Sequence, residues 1–392
     1  MSQPRLHVAM IIQAYLPLLG GAERQLAALA PLLENQGVDV SVITRRYPGL
    51  KEFEVIDNVP VYRLPVPGPK PVASLSFTLS ALPLLQRLQP DVIHAHELLS
   101  PTTTAVTAKR RLGIPVVAKV LRGGVLGDLA KLERKFLGRK RMQTFKQQVD
   151  GFIVISQEID AELAAWGVAP EKRVFIPNGV DTQRFAPVWL PEKERLRQEL
   201  EIGEGETAVY AGRLVAEKCV DQLIQLWPQV REVYGRAQLL VLGSGPEEGR
   251  LKQLAGEGVC FLGDVADVAP YLQAADLFIL PSATEGLSNA MLEALAAGLP
   301  VIATRVGGAP DIITHQKSGW LVAPHQPGEW LEAILTLFAL AERRHDLGWQ
   351  GRQMVAAAYG LTATAVSLAG LYGRVTMPKT QPLPEVDGMV IR

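Results

Sequence analysis

The chain has 392 residues, 48% hydrophobic and 20% charged, with Lys plus Arg and Asp plus Glu balanced at 40 each. That suffices for two domains of ordinary size with large cores, excludes a disordered chain, and gives no global charge to attract nucleic acid. Two cysteines, Cys219 and Cys260, are too few for a disulfide framework and suit a reducing cytoplasm, and no stretch reaches the ~20 apolar residues of a membrane span.

The first half alternates strands with helical stretches, the mark of an α/β fold. The apolar run from Leu6 is broken by His7 and Gln13, so it reads as a first strand, Val8 to Ile12, and not as a signal peptide. A loop with Gly20 and Gly21 leads into a helix from Ala22 to Gln36. Paired glycines at such a junction let a backbone approach a phosphate or sugar, although a plain tight turn is an equal reading. Asp91 to His96 ends another strand, and Pro101 starts a helix at a permitted position. His94 and His96 are read onto opposite faces of that strand, His94 as a hydrogen-bonded core residue and His96 as the cleft candidate. Ile114 to Val120 is a further strand, followed by a glycine-rich loop from Leu121 to Asp128. Asp128 to Val149 is helical and basic, with a phase break around Gly138, and Phe152 to Ile155 is the next strand. Asn178-Gly179 behind Pro177 is a turn.

In the second half, the strand Thr207 to Tyr210 runs into a loop holding Arg213 and Lys218. Those two cations suit a diphosphate, Arg by its fork and Lys as a point charge, though singly each reads as a solvated side chain. Gly243-Ser244-Gly245 suggests a dinucleotide loop, but Glu248 replaces the third glycine and no acidic ribose partner follows. Leu277 to Leu280 is a buried strand closed by Pro281. Ser288 or Asn289 caps a helix from Ala290 to Ala297, Gly298 ends it, and Val301 to Thr304 is the next strand. Glu285 and Glu293 have seven residues between them. On one helix they would be ~12 Å apart in rise and ~80° apart in direction. Paired carboxylates at one glycosidic bond stand roughly 5–10 Å apart, so these two suit the ends of one long ligand. The helix N-terminus between them is a seat for phosphate, an order that fits a nucleotide-diphosphate sugar. Glu329 to Leu340 reads as an apolar helix packed on the sheet, Tyr359 to Val375 as a last helix, and the proline-bearing tail from Met377 as loose.

The string EGLSNAMLEALAAGLPVIAT, from Glu285 to Thr304, resembles the Glu-x7-Glu signature of the family four retaining glycosyltransferases almost position by position. The resemblance extends over nearly the whole chain, through GGAER at Gly20 to Arg24, PNGVD at Pro177 to Asp181, and the GRL and EK strings between Gly212 and Lys218. It implies the GT-B architecture, an α/β fold of two Rossmann-like domains whose parallel sheets face a central cleft. Residues 1–185 would be the acceptor side, 186–358 the donor side, 359–376 a crossover helix packing on the first domain, and 377–392 a tail. It further implies retaining transfer of a hexose-type sugar, with Arg213 and Lys218 on the diphosphate, Glu285 on the sugar hydroxyls and Glu293 on the ribose. Gly20, Gly21, Gly243, Leu287, Ser288 and Asn289 would line the donor and Leu262 to Val265 the base, while His96 and Arg122 are acceptor-side candidates by their places at strand ends and not by the resemblance. No cofactor beyond the donor substrate and no metal ion are expected. Three positions depart from the pattern: Cys219 stands for a usual glycine, Asp311 for a frequent glutamate, and Leu121 or Arg122 for a histidine near the reacting sugar. A GT-B nucleotide-sugar epimerase and a non-catalytic sugar-nucleotide-binding module are the alternatives, disfavoured by the intact signature.

Residues 128–146 hold seven Lys or Arg and two acids in a chain that sums to zero. Leu129, Leu132 and Phe136 share one helical face, and Met142, Phe145 and Val149 the opposite one, so this is not one continuous amphipathic helix. A solvated helix pair and a patch for anionic lipid, each cation adding about 1 kcal/mol, are equal readings. The second would place a cytoplasmic protein peripherally on the inner membrane face, where a glycan or lipid-linked acceptor for lipopolysaccharide or another cell-surface polysaccharide could enter.

Overall fold

The computed structural model describes residues 5–377 except 19, 136 and 325, so the tail beyond Met377 and the placement of Phe136 lie outside the described residues. Short Val-, Ile- and Leu-rich runs form two sheets, because parallel strands covered on both faces must be apolar almost throughout. The first sheet comprises β1 (Leu6–Ile11), β2 (Val38–Arg45), β3 (Phe53–Ile56), β4 (Val59–Leu64), β5 (Val92–His96), β6 (Val116–Lys119), β7 (Gly151–Val154) and β8 (Arg173–Phe175). Its order is β3-β4-β2-β1-β5-β6-β7-β8, and only the β3·β4 hairpin, turned by Asp57 and Asn58 at positive φ, is antiparallel. The second comprises β9 (Thr207–Ala211), β10 (Gln238–Leu242), β11 (Val259–Gly263), β12 (Leu277–Leu280), β13 (Val301–Thr304) and β14 (Trp320–Val322). It is wholly parallel, in the order β11-β10-β9-β12-β13-β14.

Each sheet reverses its direction of growth once, at β1/β5 and at β9/β12. Helices on either side of such a reversal leave a crevice at the carboxyl ends of the strands, where ligands bind in open α/β sheets. The loops at these two places are the ones the sequence motifs occupy.

The PNGVD segment and the start of the last helix, Leu361–Thr376, run side by side. Val180 N–H donates to Tyr359 O at 2.8 Å, and Leu361 N–H donates to Val180 O at 3.1 Å. A Cβ on Gly179 would stand 2.7 Å from Leu361 Cα, so only glycine fits there. The last helix then packs on the helix Gly21–Glu34 of the first sheet's layer. The basic segment is two helices, Asp128–Glu133 and Gly138–Gln148, as the phase break implied. Leu137 turns the chain at φ 55°, and a Cβ on Gly138 would overlap the Leu132 carbonyl. The break lets Leu129 and Leu132 share the core with Met142, Phe145 and Val149.

Candidate active site

On the second sheet, the loop after β9 is shaped by its own backbone. Tyr210 donates its hydroxyl to Arg213 O at 3.0 Å, and Leu214 N–H donates to Ser244 O at 2.8 Å. Gly243, at φ 121°, lies so close to the Gly212 carbonyl that a Cβ would collide with it. Gly243 is therefore a glycine for packing two cleft loops together. Lys218 ends a single 3₁₀ turn, Ala216–Lys218, and donates to Glu285 Oε1 in the loop after β12. Ala283 N–H, donating to Glu217 O at 2.9 Å, holds the same two loops in register. The Lys218 and Glu285 side chains are 12% and 9% exposed, so the pair is largely shielded from water. Arg213 is exposed, and its guanidinium makes no hydrogen bond or ion pair among the described residues.

The helix that follows, Asn289–Ala296, is capped by Ser288, whose Oγ accepts from Met291 N–H at 3.3 Å. Glu285 stands in the loop ahead of it and Glu293 on its second turn, so the one-helix separation of the two carboxylates does not apply. Burial pushes the Glu293 carboxyl up against the pull of Arg24 and Arg184. Gly286 packs so tightly on the Leu121 carbonyl of the first sheet's layer that a Cβ would collide with it.

The first sheet meets this helix directly. Asn289 Nδ2–H donates to Gly21 O at 2.8 Å, and Asn178 Nδ2–H donates to Asn289 Oδ1 at 2.9 Å and to Leu287 O at 3.1 Å. Lys119, buried at the end of β6, donates to Asn178 Oδ1 at 2.8 Å, and burial lowers its pKa to about 8. Arg122 forms an ion pair with Glu217 at 3.3 Å, joining the loops after β6 and β9. The two halves are thus in contact along the cleft, with Gly21, Leu287, Ser288, Asn289, Glu285, Lys218 and Arg122 brought to one region.

A family model described as Glycosyltransferase Family 4 matches residues 19–184, and one described as Glycosyl transferases group 1 matches residues 205–339. A GDP-mannose-dependent alpha-mannosyltransferase of Mycobacterium tuberculosis is 30% identical over 362 residues, covering 87% of this chain and 92% of that protein. The chain belongs to the family 4 glycosyltransferases. A second relative from that species is named as a GDP-mannose-dependent alpha-(1-6)-phosphatidylinositol monomannoside mannosyltransferase. It is 36% identical over 209 residues, and the match spans 50% of this chain and about half, 54%, of that protein. Among solved structures, sucrose-phosphate synthase from Thermosynechococcus elongatus has a TM-score of 0.81 at 23% identity, covering 95% of this chain and 99% of that one. The fold of this glycosyltransferase is GT-B, as the motifs implied.

Two readings of the glycosyltransferase's histidines change. Residues two apart on a strand share a face, so His94 and His96 are not on opposite faces. Their rings stack at 4.3 Å with 19° between planes. His94 is the hydrogen-bonded core residue expected, its Nδ1 2.7 Å from the Tyr372 hydroxyl of the last helix. His96 does not line an open cleft: it is 6% exposed, with neither ring nitrogen hydrogen-bonded. Burial and the nearby Lys119 lower its pKa to about 3, so it is neutral.

The fold also brings Asn178, Glu217, Glu97 and Asp128 to this region, together with Glu23 of the GGAER string. Asn178 was visible only as a turn residue. Glu23 faces the cleft, its carboxyl pushed up by burial and drawn down by Arg213 across it. Glu97, held at φ 84°, accepts from Gln13 Nε2–H. Asp128 is buried, its Oδ2 accepting from Leu121 N–H at 3.0 Å and Leu98 N–H at 3.4 Å, and burial beside Glu97 raises its pKa to about 7. No local sequence signal marks a left-handed glutamate or a carboxyl that pins two loops.

Proposed function

We propose that this glycosyltransferase moves a hexose-type sugar from a nucleotide-diphosphate sugar to a hydroxyl of a glycan or lipid-linked acceptor, with retention and without a metal ion. The observation that carries the reading is the shielded Lys218–Glu285 pair beside the Ser288-capped helix, with the exposed Arg213 in the loop that carries Lys218. Cleaving the bond from sugar to diphosphate builds negative charge on the leaving phosphate and positive charge on the sugar. Arg213, Lys218 and the amides from Leu287 to Asn289 stabilise the first, and such prearranged charge is usually the largest catalytic term. Glu285, held by Lys218, orients the sugar hydroxyls, and Glu293 takes the ribose. The acceptor hydroxyl attacks from the face the diphosphate leaves, and its proton passes to the departing phosphate oxygen, so configuration is retained. Closure through Asn289 and Arg122 excludes water.

Both mycobacterial relatives are named as GDP-mannose-dependent, which makes GDP-mannose the first donor to test. No helix among the described residues is long and apolar enough to cross a membrane, and we place the protein at the inner membrane face through residues 128–146. The test is a panel of GDP-, UDP- and ADP-sugars, read by nucleotide release with and without lipid or glycan acceptors and by the anomeric configuration of the product. Donor turnover by epimerisation alone, or an inverted product, overturns the proposal.

A further inference from the structure

The side of the first sheet away from the last helix is covered by three helices, Lys70–Leu88, Ser100–Leu112 and Gly138–Gln148. They form one layer. Ser74 and Ser100 hydroxyls lie 2.9 Å apart and those of Thr78 and Thr104 2.8 Å apart, and Arg141 Nη2–H donates to Leu99 O at 3.1 Å. These helices carry nine Lys or Arg and no acidic residue, and from 65 to 148 the sequence has fourteen Lys or Arg against four Asp or Glu.

The first helix also has an apolar stripe turned outward. Val72, Leu75 and Leu79, at i, i+3 and i+7, are 53%, 61% and 56% exposed, while Phe77, Ala81 and Leu85 on its other face are buried. An amphipathic core helix has one apolar face, and this one has two. Because the strands are parallel, each helix after a strand begins at the carboxyl end of the sheet, the cleft end. The stripe therefore starts beside the acceptor-side cleft, as do exposed Val125 and Leu126 in the loop after β6 and exposed Leu137 ahead of the third helix.

We propose that the Val72–Leu75–Leu79 stripe seats in an anionic lipid bilayer, with Lys70 at its start and Lys131, Arg134, Lys135 and Lys140, beyond the intervening Ser100–Leu112 helix, on the headgroups. This deepens the lipid-linked reading above by naming the inserting element, which lies outside residues 128–146. Charge complementarity selects the occupant: a second copy laid on this acid-free layer would bring its cations onto like cations, whereas an anionic bilayer matches both the charge and the apolar stripe. The arrangement holds the acceptor cleft at the membrane and lets an acceptor with its hydrocarbon in the bilayer enter laterally.

The test uses the full chain with vesicles of phosphatidylcholine alone and of phosphatidylcholine with phosphatidylglycerol, over a salt series. Binding should be confined to the anionic vesicles and weaken with salt. Val72→Ser/Leu75→Ser/Leu79→Ser should bind at least tenfold more weakly with the salt slope kept. Lys131→Gln/Arg134→Gln/Lys135→Gln/Lys140→Gln should flatten the slope. The indole of a Leu75→Trp variant should shift blue on anionic vesicles and be quenched by brominated acyl chains, which reads insertion in a chain whose fold is checked by its melting. Wild-type binding by the triple serine variant, an unshifted indole, or a dimer in solution that this variant abolishes would overturn the proposal. No donor or acceptor enters the vesicle assay, so its failure is distinct from failure of the transfer reading in the nucleotide-sugar panel.

Discussion

Asn289 joins the first turn of the helix that faces the proposed donor site to the glycine loop of the opposite domain, donating to Gly21 O at 2.8 Å. Its Oδ1 is held by Asn178 Nδ2–H at 2.9 Å, so one side chain closes a bridge between both halves of the chain. Asn289→Ala removes two hydrogen bonds worth about 0.5–1.5 kcal/mol each. We expect weaker donor binding and a larger radius of gyration in solution scattering. A variant as compact as wild type and with the same donor KM would show that the bridge does not govern closure.

Arg213 and Lys218 should respond differently, although both are assigned to the diphosphate. Arg213→Ala removes an exposed, unpaired cation and should cost about 2–4 kcal/mol in kcat/KM, like loss of one oxyanion donor, with unchanged melting. Lys218→Ala leaves Glu285 shielded and unpaired, which is strongly destabilising for a closed-off pair, so melting should fall as well. Adding Glu285→Gln should restore much of the melting and none of the turnover. Equal melting of both single variants would contradict the pairing.

Cys219 sits at φ 51°, ψ 34°, a left-handed conformation that costs an ordinary residue roughly 1–2 kcal/mol. Cys219→Gly should therefore stabilise by about 1 kcal/mol or less, after the greater freedom of glycine in the unfolded chain is counted. Cys219→Val should destabilise, since a β-branched side chain tolerates this region worst. Denaturation midpoints in the order Gly, Cys, Val check this, and the reverse order would exclude the left-handed turn.

Asp128 has its folded pKa raised to about 7, chiefly by burial and then by Glu97. The native chain thus holds a proton that the unfolded chain has lost between about pH 4 and 7. Stability from this group is full below the unfolded pKa and falls as pH rises through that window, with a limiting slope of ~1.4 kcal/mol per pH unit. Asp128→Asn keeps an oxygen for the Leu121 and Leu98 amides and should flatten the fall. Chemical denaturation at several pH values tests it: an unchanged slope would place the titration elsewhere.

Transfer activity should persist in excess chelator, because the proposed counter-charges are Arg213, Lys218 and helix amides. A requirement for magnesium or manganese in single-turnover chemistry would overturn this.

Local chemistry alone determined much of this protein. The apolar runs, the Ser288 cap and Gly298 specify a strand–loop–helix–strand unit, since propensity, capping and chain reversal act within a few residues. The break at Gly138 and the buried faces of Glu329 to Leu340 were legible for the same reason. Glu285, Lys218 and Arg213 could be singled out because each stands in a short motif at a strand's end.

What acts across the fold could only be decided by it. The Lys218–Glu285 pair spans 67 residues, Arg122–Glu217 95 and Asn289–Gly21 268, and nothing local encodes such distances. The burial of His96 and the protonation of Asp128 depend on how strands β5 and β6 and their loops exclude water together. The outward stripe on Lys70–Leu88 became visible only once the sheet had claimed the helix's other face. Hydrophobic pattern chooses which elements form, whereas pairing and desolvation depend on what the chain later packs against them.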